Sequence, residues 1–255
     1  MRRLHCALAI AALGIAGCGT TKPQVQPEEL RAKAEAAFLG GQFLQAADWY
    51  RQYAETKPAD RPWALLQQGR SLNGAEQWEP AAKALTDALS ARPAEDQRLQ
   101  ALYFRSFAFA GAARYPESLA DLRLLDSTPQ SLRGQAVKED EFRYRFAVAK
   151  IRAGDWAGGQ IDLKAFVNAF PQSPLLVDAR DRLVLKGVVI VVGRARDSAG
   201  AKTLVAEARL KGFTAEPVQG PRDQLVVLGP YRSATEARAD LPRVQVAWRD
   251  AYVAP

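Results

Sequence analysis

The sequence has very little of the residues on which many enzyme and metal sites depend. It contains one histidine, His5, two cysteines, Cys6 and Cys18, and a single methionine. Histidine supplies the base in serine- and cysteine-dependent catalysis, and zinc sites are built mainly from histidine and cysteine. Because all of these residues lie within the first 18 positions, we expect no catalytic, metal or cofactor site and no disulfide in the rest of the chain.

The start of the chain also lacks an apolar run of the length that a membrane helix needs, about 20 residues. Two arginines precede a shorter apolar core, Ala7–Ile15, which small residues follow. This order is typical of a secretory signal peptide, here residues 1–17. The stretch Ile15-Ala16-Gly17-Cys18 resembles the lipobox of bacterial lipoproteins, which implies cleavage before Cys18 and lipid attachment to its thiol. The alternatives are an ordinary signal peptide with a chance cysteine and a buried apolar helix.

The lipobox resemblance also implies a location. Glycine rather than aspartate follows Cys18, which in that family favours an outer-membrane lipoprotein facing the periplasm. Residues 18–27 are polar and contain two prolines, so they are predicted to form a short tether. The periplasm is oxidising, and a chain without a disulfide there must be stabilised by packing.

Acidic residues are outnumbered by basic ones, and the formal net charge of the whole sequence is +7. A basic surface can attract envelope polyanions such as lipid headgroups and peptidoglycan carboxylates, or it can serve solubility alone. Nucleic acid is not an expected partner in the periplasm.

Residues 28–186 carry a helical pattern that occurs four times. Each copy has a leading aromatic residue, a small residue three positions later and apolar residues seven and ten positions later, and a proline ends it. Such spacing predicts the second helix of a helical hairpin, with one buried stripe. The leading aromatics are Phe43, Trp78, Tyr115 and Trp156. The partner helices are predicted at Leu30–Leu39, Trp63–Leu72, Leu99–Phe109 and Phe142–Ile151.

This pattern resembles the tetratricopeptide repeat, which implies stacked helical hairpins that bind a protein partner. Gly69 takes the small position of the first helix in the second unit. Residues 126–138 are expected to form a loop, and 175–185 a helix that caps the stack. The aromatic residues are predicted to pack in the core rather than form a ligand cage. Glu139-Asp140-Glu141 is predicted to start a helix rather than to supply paired catalytic carboxylates.

After about Lys186 the apolar period changes from helical to that of strands. Strands are predicted at 188–192, 214–219, 224–228 and 251–253, and helices at 198–211 and 233–241, with Ser233 and Glu236 as a capping box. The order is βαββαβ. Its two similar halves are expected to form one antiparallel sheet with both helices on one face.

Residues 187–255 resemble the SPOR domain. The motifs that carry the resemblance are Val192-Gly193, Lys211-Gly212-Phe213 and Gly229-Pro230-Tyr231-x-Ser233-x-x-Glu236-Ala237. The resemblance implies binding to peptidoglycan glycan strands that lack stem peptides, which are enriched where cells divide. The sheet face without helices would hold the sugar chain.

The predicted face departs from the SPOR pattern. Where that family usually has glutamine and serine, this chain has Val191 and Arg194, and its third strand has apolar residues where arginine alternates with valine. By the two-residue period of a strand, the face is lined by Val189, Val191, Leu225 and Val227. Arg194, Gln224 and Tyr231 lie at its edge and remain able to bind glycan. An apolar face of this kind also fits a protein contact or a surface covered by the repeats.

The sequence therefore predicts an α-helical hairpin repeat array, residues 28–186, followed by a small βαββαβ antiparallel-sheet domain, residues 187–255. We expect a lipoprotein scaffold without enzymatic activity. Its predicted partners are peptidoglycan glycan strands, an unidentified envelope protein and, through the lipid anchor, the membrane. The alternatives are an adaptor whose sheet no longer binds glycan and a carboxylate-dependent enzyme of cell-wall turnover.

Overall fold

The computed structural model describes residues 26–254, so the signal peptide, Cys18 and residues 18–25 of the tether lie outside the described part. The first ten helices are α1 (Pro27–Leu39), α2 (Phe43–Thr56), α3 (Arg61–Gly74), α4 (Trp78–Ser90), α5 (Glu95–Gly111), α6 (Tyr115–Asp126), α7 (Gln130–Ala136), α8 (Glu139–Arg152), α9 (Trp156–Ala169) and α10 (Leu176–Val184). None of the helices in residues 26–254 is both long and apolar enough to cross a membrane.

The predicted hairpin array is confirmed. The second helix of each hairpin begins at the predicted residue, and the first helices begin two to four residues earlier than predicted. Phe43, Trp78, Tyr115 and Trp156 are the first residues of α2, α4, α6 and α9. Each of these helices packs against the one predicted as its partner: α1, α3, α5 and α8. A Cβ atom added at Gly69 would lie 2.3 Å from Cγ of Leu85, so the small residue lets α3 and α4 approach closely.

The expected loop at 126–138 was wrong in part, because it contains the short helix α7. Arg133 on this helix is 1% exposed. Its guanidinium donates to the carbonyl oxygens of Leu125, at 3.1 Å, and Thr128, at 2.9 Å, and to the carboxylate of Glu139, at 2.9 Å. A buried charge is tolerated only when it is paired in this way, and here the pairing holds α7 against α6 and α8.

The terminal domain consists of β1 (Val188–Ala195), α11 (Ser198–Leu210), β2 (Ala215–Gln219), β3 (Gln224–Tyr231), α12 (Ala234–Gln245) and β4 (Tyr252–Ala254). The strands form one antiparallel sheet in the order β2-β3-β1-β4. The βαββαβ prediction is confirmed. Three elements are longer than predicted: β1, β3, and α12, which continues past Pro242.

Both helices of the terminal domain pack on one face of the sheet, as expected. Ile190 and Val226, both fully buried, face Ala201 of α11 and Ala237 of α12. Ser233 caps α12 by accepting a hydrogen bond from the backbone N–H of Glu236 at 3.1 Å. Tyr115 of the third hairpin joins the same apolar cluster, so the terminal domain and the repeats share a core.

Candidate functional site at the joint between the repeats and the sheet

The structure brings together the four apolar side chains of the predicted binding face. Val191 of β1 pairs with Val227 of β3 across the sheet, and Val189 and Leu225 belong to the same apolar cluster. All four point away from α11 and α12, which pack on the other face.

This face is covered. The exposed fractions of Val189, Val191, Leu225 and Val227 are 4%, 2%, 1% and 5%. Two residues from outside the sheet pack against it: Leu185, after the end of α10, and Trp156, the leading aromatic of the fourth hairpin. Of the three arrangements that the sequence left open, the described structure has the sheet face closed by the end of the repeat region.

The covering agrees with the departures from the SPOR pattern. A glutamine or arginine on a covered face would bring a polar group into an apolar contact, which costs free energy unless a hydrogen-bond partner is present. Valine at position 191 and leucine at position 225 avoid that cost, and their burial stabilises the joint between the two parts of the chain.

Arg194 lies at the edge of the face and connects it to α10. Its guanidinium lies 2.7 Å from the Asp181 carboxylate, 3.3 Å from that of Asp223 and 3.2 Å from the Tyr252 hydroxyl. Partial burial opposes the charge, but the hydrogen bonds to Asp181 and Tyr252 raise the pKa of Arg194 above its ordinary value. Arg194 therefore stays charged and acts as a polar link across the joint.

The other two residues predicted for this edge, Gln224 and Tyr231, lie on the opposite side of the sheet, where their side chains bond to α11 and α12. The side-chain amide of Gln224 donates to the Ser198 hydroxyl at 2.8 Å. The Tyr231 hydroxyl donates to the Asp240 carboxylate at 2.7 Å, and burial together with this carboxylate raises the pKa of Tyr231. Of the three residues predicted for the edge, Arg194 alone lies on the side of the apolar face.

The acidic cluster at the start of α8 has structural partners, and the predicted helix start is confirmed. Glu139 pairs with Arg133 and Arg143. Burial opposes ionisation of Glu139, but these two guanidiniums outweigh it and lower the pKa of the carboxyl. Asp140 accepts from the Ser173 hydroxyl at 2.7 Å, and Glu141 accepts from the Tyr103 hydroxyl at 3.2 Å.

Sequence reasoning missed a second feature of the joint, a cavity of about 380 Å³. Its lining includes Arg145 and Arg152 from α8, Arg238 from α12, and aromatic side chains from both parts of the chain. The lining residues are spread along the chain from Trp78 to Val253 and share no motif, so no local signal in the sequence could have placed them together.

Comparison with known families and structures agrees with the two-part architecture. Residues 185–255 match the family model of the SPOR domain. No curated protein sequence matches the chain significantly. One solved structure contains TPR-like repeats that are nearly identical to one another and are described as a Podosopora anserina kinesin light chain. It superposes on this chain with a TM-score of 0.51 at 14% identity, and the match covers 88% of this chain and 96% of that chain.

A second solved structure is the MamA RS-1 ArsTM double mutant, with a TM-score of 0.50 at 16% identity, covering 62% of this chain and 80% of that one. At these identities the likeness concerns the fold alone. It is the fold of stacked helical hairpins that the sequence pattern predicts.

Proposed function

We propose that the protein is a periplasm-facing lipoprotein scaffold, because residues 185–255 form a SPOR domain that follows tetratricopeptide-like repeats in the chain. A SPOR domain implies peptidoglycan binding, and tetratricopeptide-like repeats imply protein interaction. Both are binding folds rather than catalytic ones. The match over residues 185–255, on a four-stranded sheet of the expected topology, is the observation that carries the proposal.

The ligand that we propose for the terminal domain is the glycan strand of peptidoglycan without stem peptides. The compartment that we propose for the protein is the periplasm, and the role that we propose is in cell division or envelope maintenance. The lipid on Cys18 would hold the protein in the outer membrane, and the repeats would bind an envelope protein. The basic composition supports this assignment, because the peptidoglycan and membrane surfaces are both anionic.

The sheet face remains a candidate for glycan binding only if the joint opens. Opening would expose four aliphatic side chains, each of which contributes about 1.5–3 kcal/mol when fully buried. Glycan contacts at Arg194 and along the opened face would have to offset that cost. Otherwise the glycan binds the terminal domain somewhere else.

A second candidate function is a protein adaptor whose sheet has lost glycan binding. The observation that favours it is the covered face, since Val191 and Val227 now serve an internal contact. In this version the terminal domain would extend the interaction surface of the repeats and would not touch the wall.

Co-sedimentation with wall sacs separates the two functions. The chain from residue 18 onward, prepared without lipid, is mixed with sacs from which an amidase has removed the stem peptides, and with untreated sacs. Glycan binding predicts enrichment in the pellet of the treated sacs. Equal amounts in both pellets would exclude the glycan-binding function and leave the adaptor.

The variant Trp156→Ala shows whether the sheet face itself is used. If the glycan binds that face after opening, removal of the indole that covers it should increase binding to treated sacs. Lack of an increase, with binding retained, would place the glycan elsewhere on the terminal domain.

A further inference from the structure

The first hairpin of the array has an apolar tip. Leu39, the last residue of α1, is 86% exposed, and Leu44, the second residue of α2, is 60% exposed. The residues before them, Phe38 and Phe43, have ring centroids 5.5 Å apart in an edge-to-face arrangement. The two leucines therefore flank one short turn, and residues 38–44 are called the hairpin tip below.

The hairpin tip carries no charged side chain of its own. The sequence has none between Glu35 and Asp48, and each of these two pairs with an arginine on its own helix. The guanidinium of Arg70 on α3 lies 5.5 Å from the centroid of the Phe38 ring, and a cation on a long side chain beside an apolar patch can remain hydrated. Removal of the two leucines from water therefore requires no buried carboxylate.

The position of Leu39, four residues before the leading aromatic, holds a smaller residue in the next two hairpins. In the second hairpin it is Gly74, where an added Cβ would lie 2.8 Å from the ring of Phe43. In the third it is Gly111, where an added Cβ would lie 2.2 Å from the ring of Trp78. Each glycine thus makes room for the leading aromatic of the preceding hairpin. No hairpin precedes α1 in residues 26–254, so Leu39 has no such cover.

The leucine disfavours a further hairpin at this end of the array. A hairpin of a second copy that stacked in the same way would place its leading aromatic where the Leu39 side chain stands, and two groups cannot fill one space. The tether offers no cover either, because Val25 is the only aliphatic residue in 19–25. A solvent-facing apolar patch without a protein cover is typical of a contact surface.

The proposed lipid anchor is close to this tip along the chain. The segment from Cys18 to Pro27 spans at most about 30 Å when fully extended. The helix α1, which ends at Leu39, rises only about 18 Å. Because the tether is longer than the helix, the tip can reach the membrane that holds the anchor.

We propose that the hairpin tip docks on the lipid bilayer, with Leu39 and Leu44 inserted at the boundary between headgroups and acyl chains. The inference rests on the proposed lipid attachment at Cys18 and adds an orientation to it. With one end of α1 held by the tether and the other by the leucines, the array keeps one side towards the membrane. Because the tip is uncharged, docking needs no anionic headgroup and is insensitive to salt.

Quenching by spin-labelled lipid tests the docking. In the lipidated chain the Cys18 thiol carries the lipid, and residues 19–255 contain no cysteine, so Gln42→Cys introduces a single site for a fluorescent label. Gln77→Cys is the matched control, because both glutamines are exposed and precede the second helix of a hairpin. The chains are reconstituted into vesicles of phosphatidylethanolamine and phosphatidylglycerol that contain lipid with a nitroxide near the headgroup. We expect quenching at position 42, at low and high salt, and none at position 77.

A second pair of variants tests the leucines. Leu39→Gln combined with Leu44→Gln should lower the ratio of docked to undocked tip, read from the quenching at position 42, at least about tenfold. Leu210→Gln, which changes an exposed leucine of α11, should leave the ratio unchanged. Urea unfolding shows that the variants are folded, and vesicle sedimentation shows that they remain bound through the lipid.

The outcomes that overturn the docking are separable from failure of the anchor. Equal quenching at positions 42 and 77, quenching that survives the loss of both leucines, or no quenching on vesicle-bound chains would remove the docking and leave the lipoprotein scaffold intact. Energy transfer between labels at position 42 that rises with protein density would assign the tip to a second copy instead. A chain whose mass shows no lipid on Cys18 would remove the docking and the proposed lipoprotein together.

Discussion

Nη2 of Arg194 in β1 lies 2.7 Å from Oδ2 of Asp181 in α10, so the last helix of the repeat array is bonded to the first strand of the terminal sheet. Beside this ion pair, Trp156 and Leu185 cover the apolar face of the sheet. The polar link and the apolar cover act on the same joint. Together they hold the terminal domain in one position against the repeats.

The ion pair should contribute measurably to the stability of the joint. In a double-mutant cycle of Asp181→Asn and Arg194→Gln, we expect a coupling free energy of about 1 kcal/mol from urea unfolding. The value is modest because the Arg194 side chain is 41% exposed. The exposed pair of Glu207 on α11 and Lys211, the residue that follows this helix, is the control, with an expected coupling of about 0.3 kcal/mol. Equal couplings for the two pairs would mean that the joint does not depend on this bond.

Burial of the sheet face predicts a contrast between two identical substitutions. Val191→Gln places an amide on the covered face, where it must lose water, and should lower the free energy of unfolding by about 1–3 kcal/mol. Val246→Gln alters a side chain that is 90% exposed and should change the free energy of unfolding by less than about 0.5 kcal/mol. Urea unfolding measures both. If Val191→Gln were as harmless as the control, the face would be open in solution.

Close packing of the second hairpin predicts a similar contrast for two glycines. In Gly69→Ala the added Cβ would lie 2.3 Å from Cγ of Leu85, which is fully buried and cannot swing aside. We expect this substitution to lower the free energy of unfolding by about 1–3 kcal/mol. In Gly134→Ala the Cβ on α7 meets nothing within 4 Å, and the higher helix propensity of alanine should stabilise the chain by up to about 1 kcal/mol. Equal melting temperatures for the two variants would contradict the packing of α3 on α4.

The Glu139 carboxylate predicts a specific acid sensitivity. Its pKa is lowered in the folded chain by Arg133 and Arg143, so its stabilising effect is present above the unfolded pKa and is lost as pH falls through the folded pKa. Between about pH 5 and about pH 3, the free energy of unfolding of the unmodified chain should therefore fall more steeply than that of Glu139→Gln. Parallel pH profiles from urea unfolding would show that Arg133 and Arg143 do not stabilise the ionised carboxylate in the folded chain.

The parts of the fold that could be predicted from the sequence are those with a local period. Trp78 and Trp156 each open a helix because the aromatic, small and apolar residues that follow them repeat at helical spacing. The β-branched run that begins at Val188 and the capping Ser233 are equally local signals. Both the hairpin array and the βαββαβ order therefore follow from short stretches of sequence.

The parts that could not be predicted depend on contacts between distant residues. The helix α7 is held by Arg133, whose partners on α6 and α8 are not apparent from the polar sequence around it. The cover over Val191 comes from Trp156, which the repeat pattern assigned only to its own hairpin. The cavity is lined by Arg145 of α8 and Arg238 of α12, which only the docking of the two parts brings to one place.

The lipid anchor is predicted from the first 18 residues, and as proposed it determines what the scaffold connects. The anchor and the terminal domain lie at opposite ends of the chain, so the protein as proposed forms a bridge between membrane and wall. A test of each end by itself would leave that bridge unexamined.

Vesicle capture by wall sacs tests the bridge most directly. The lipidated chain is reconstituted into fluorescent vesicles of phosphatidylethanolamine and phosphatidylglycerol, which are then sedimented at low speed with amidase-treated or untreated sacs. We predict that vesicles enter the pellet only with lipidated protein and treated sacs, and that vesicles mixed with the Cys18→Ser chain stay in the supernatant. Vesicles that remained in the supernatant with lipidated protein and treated sacs, or that were captured equally well with Cys18→Ser, would contradict the account.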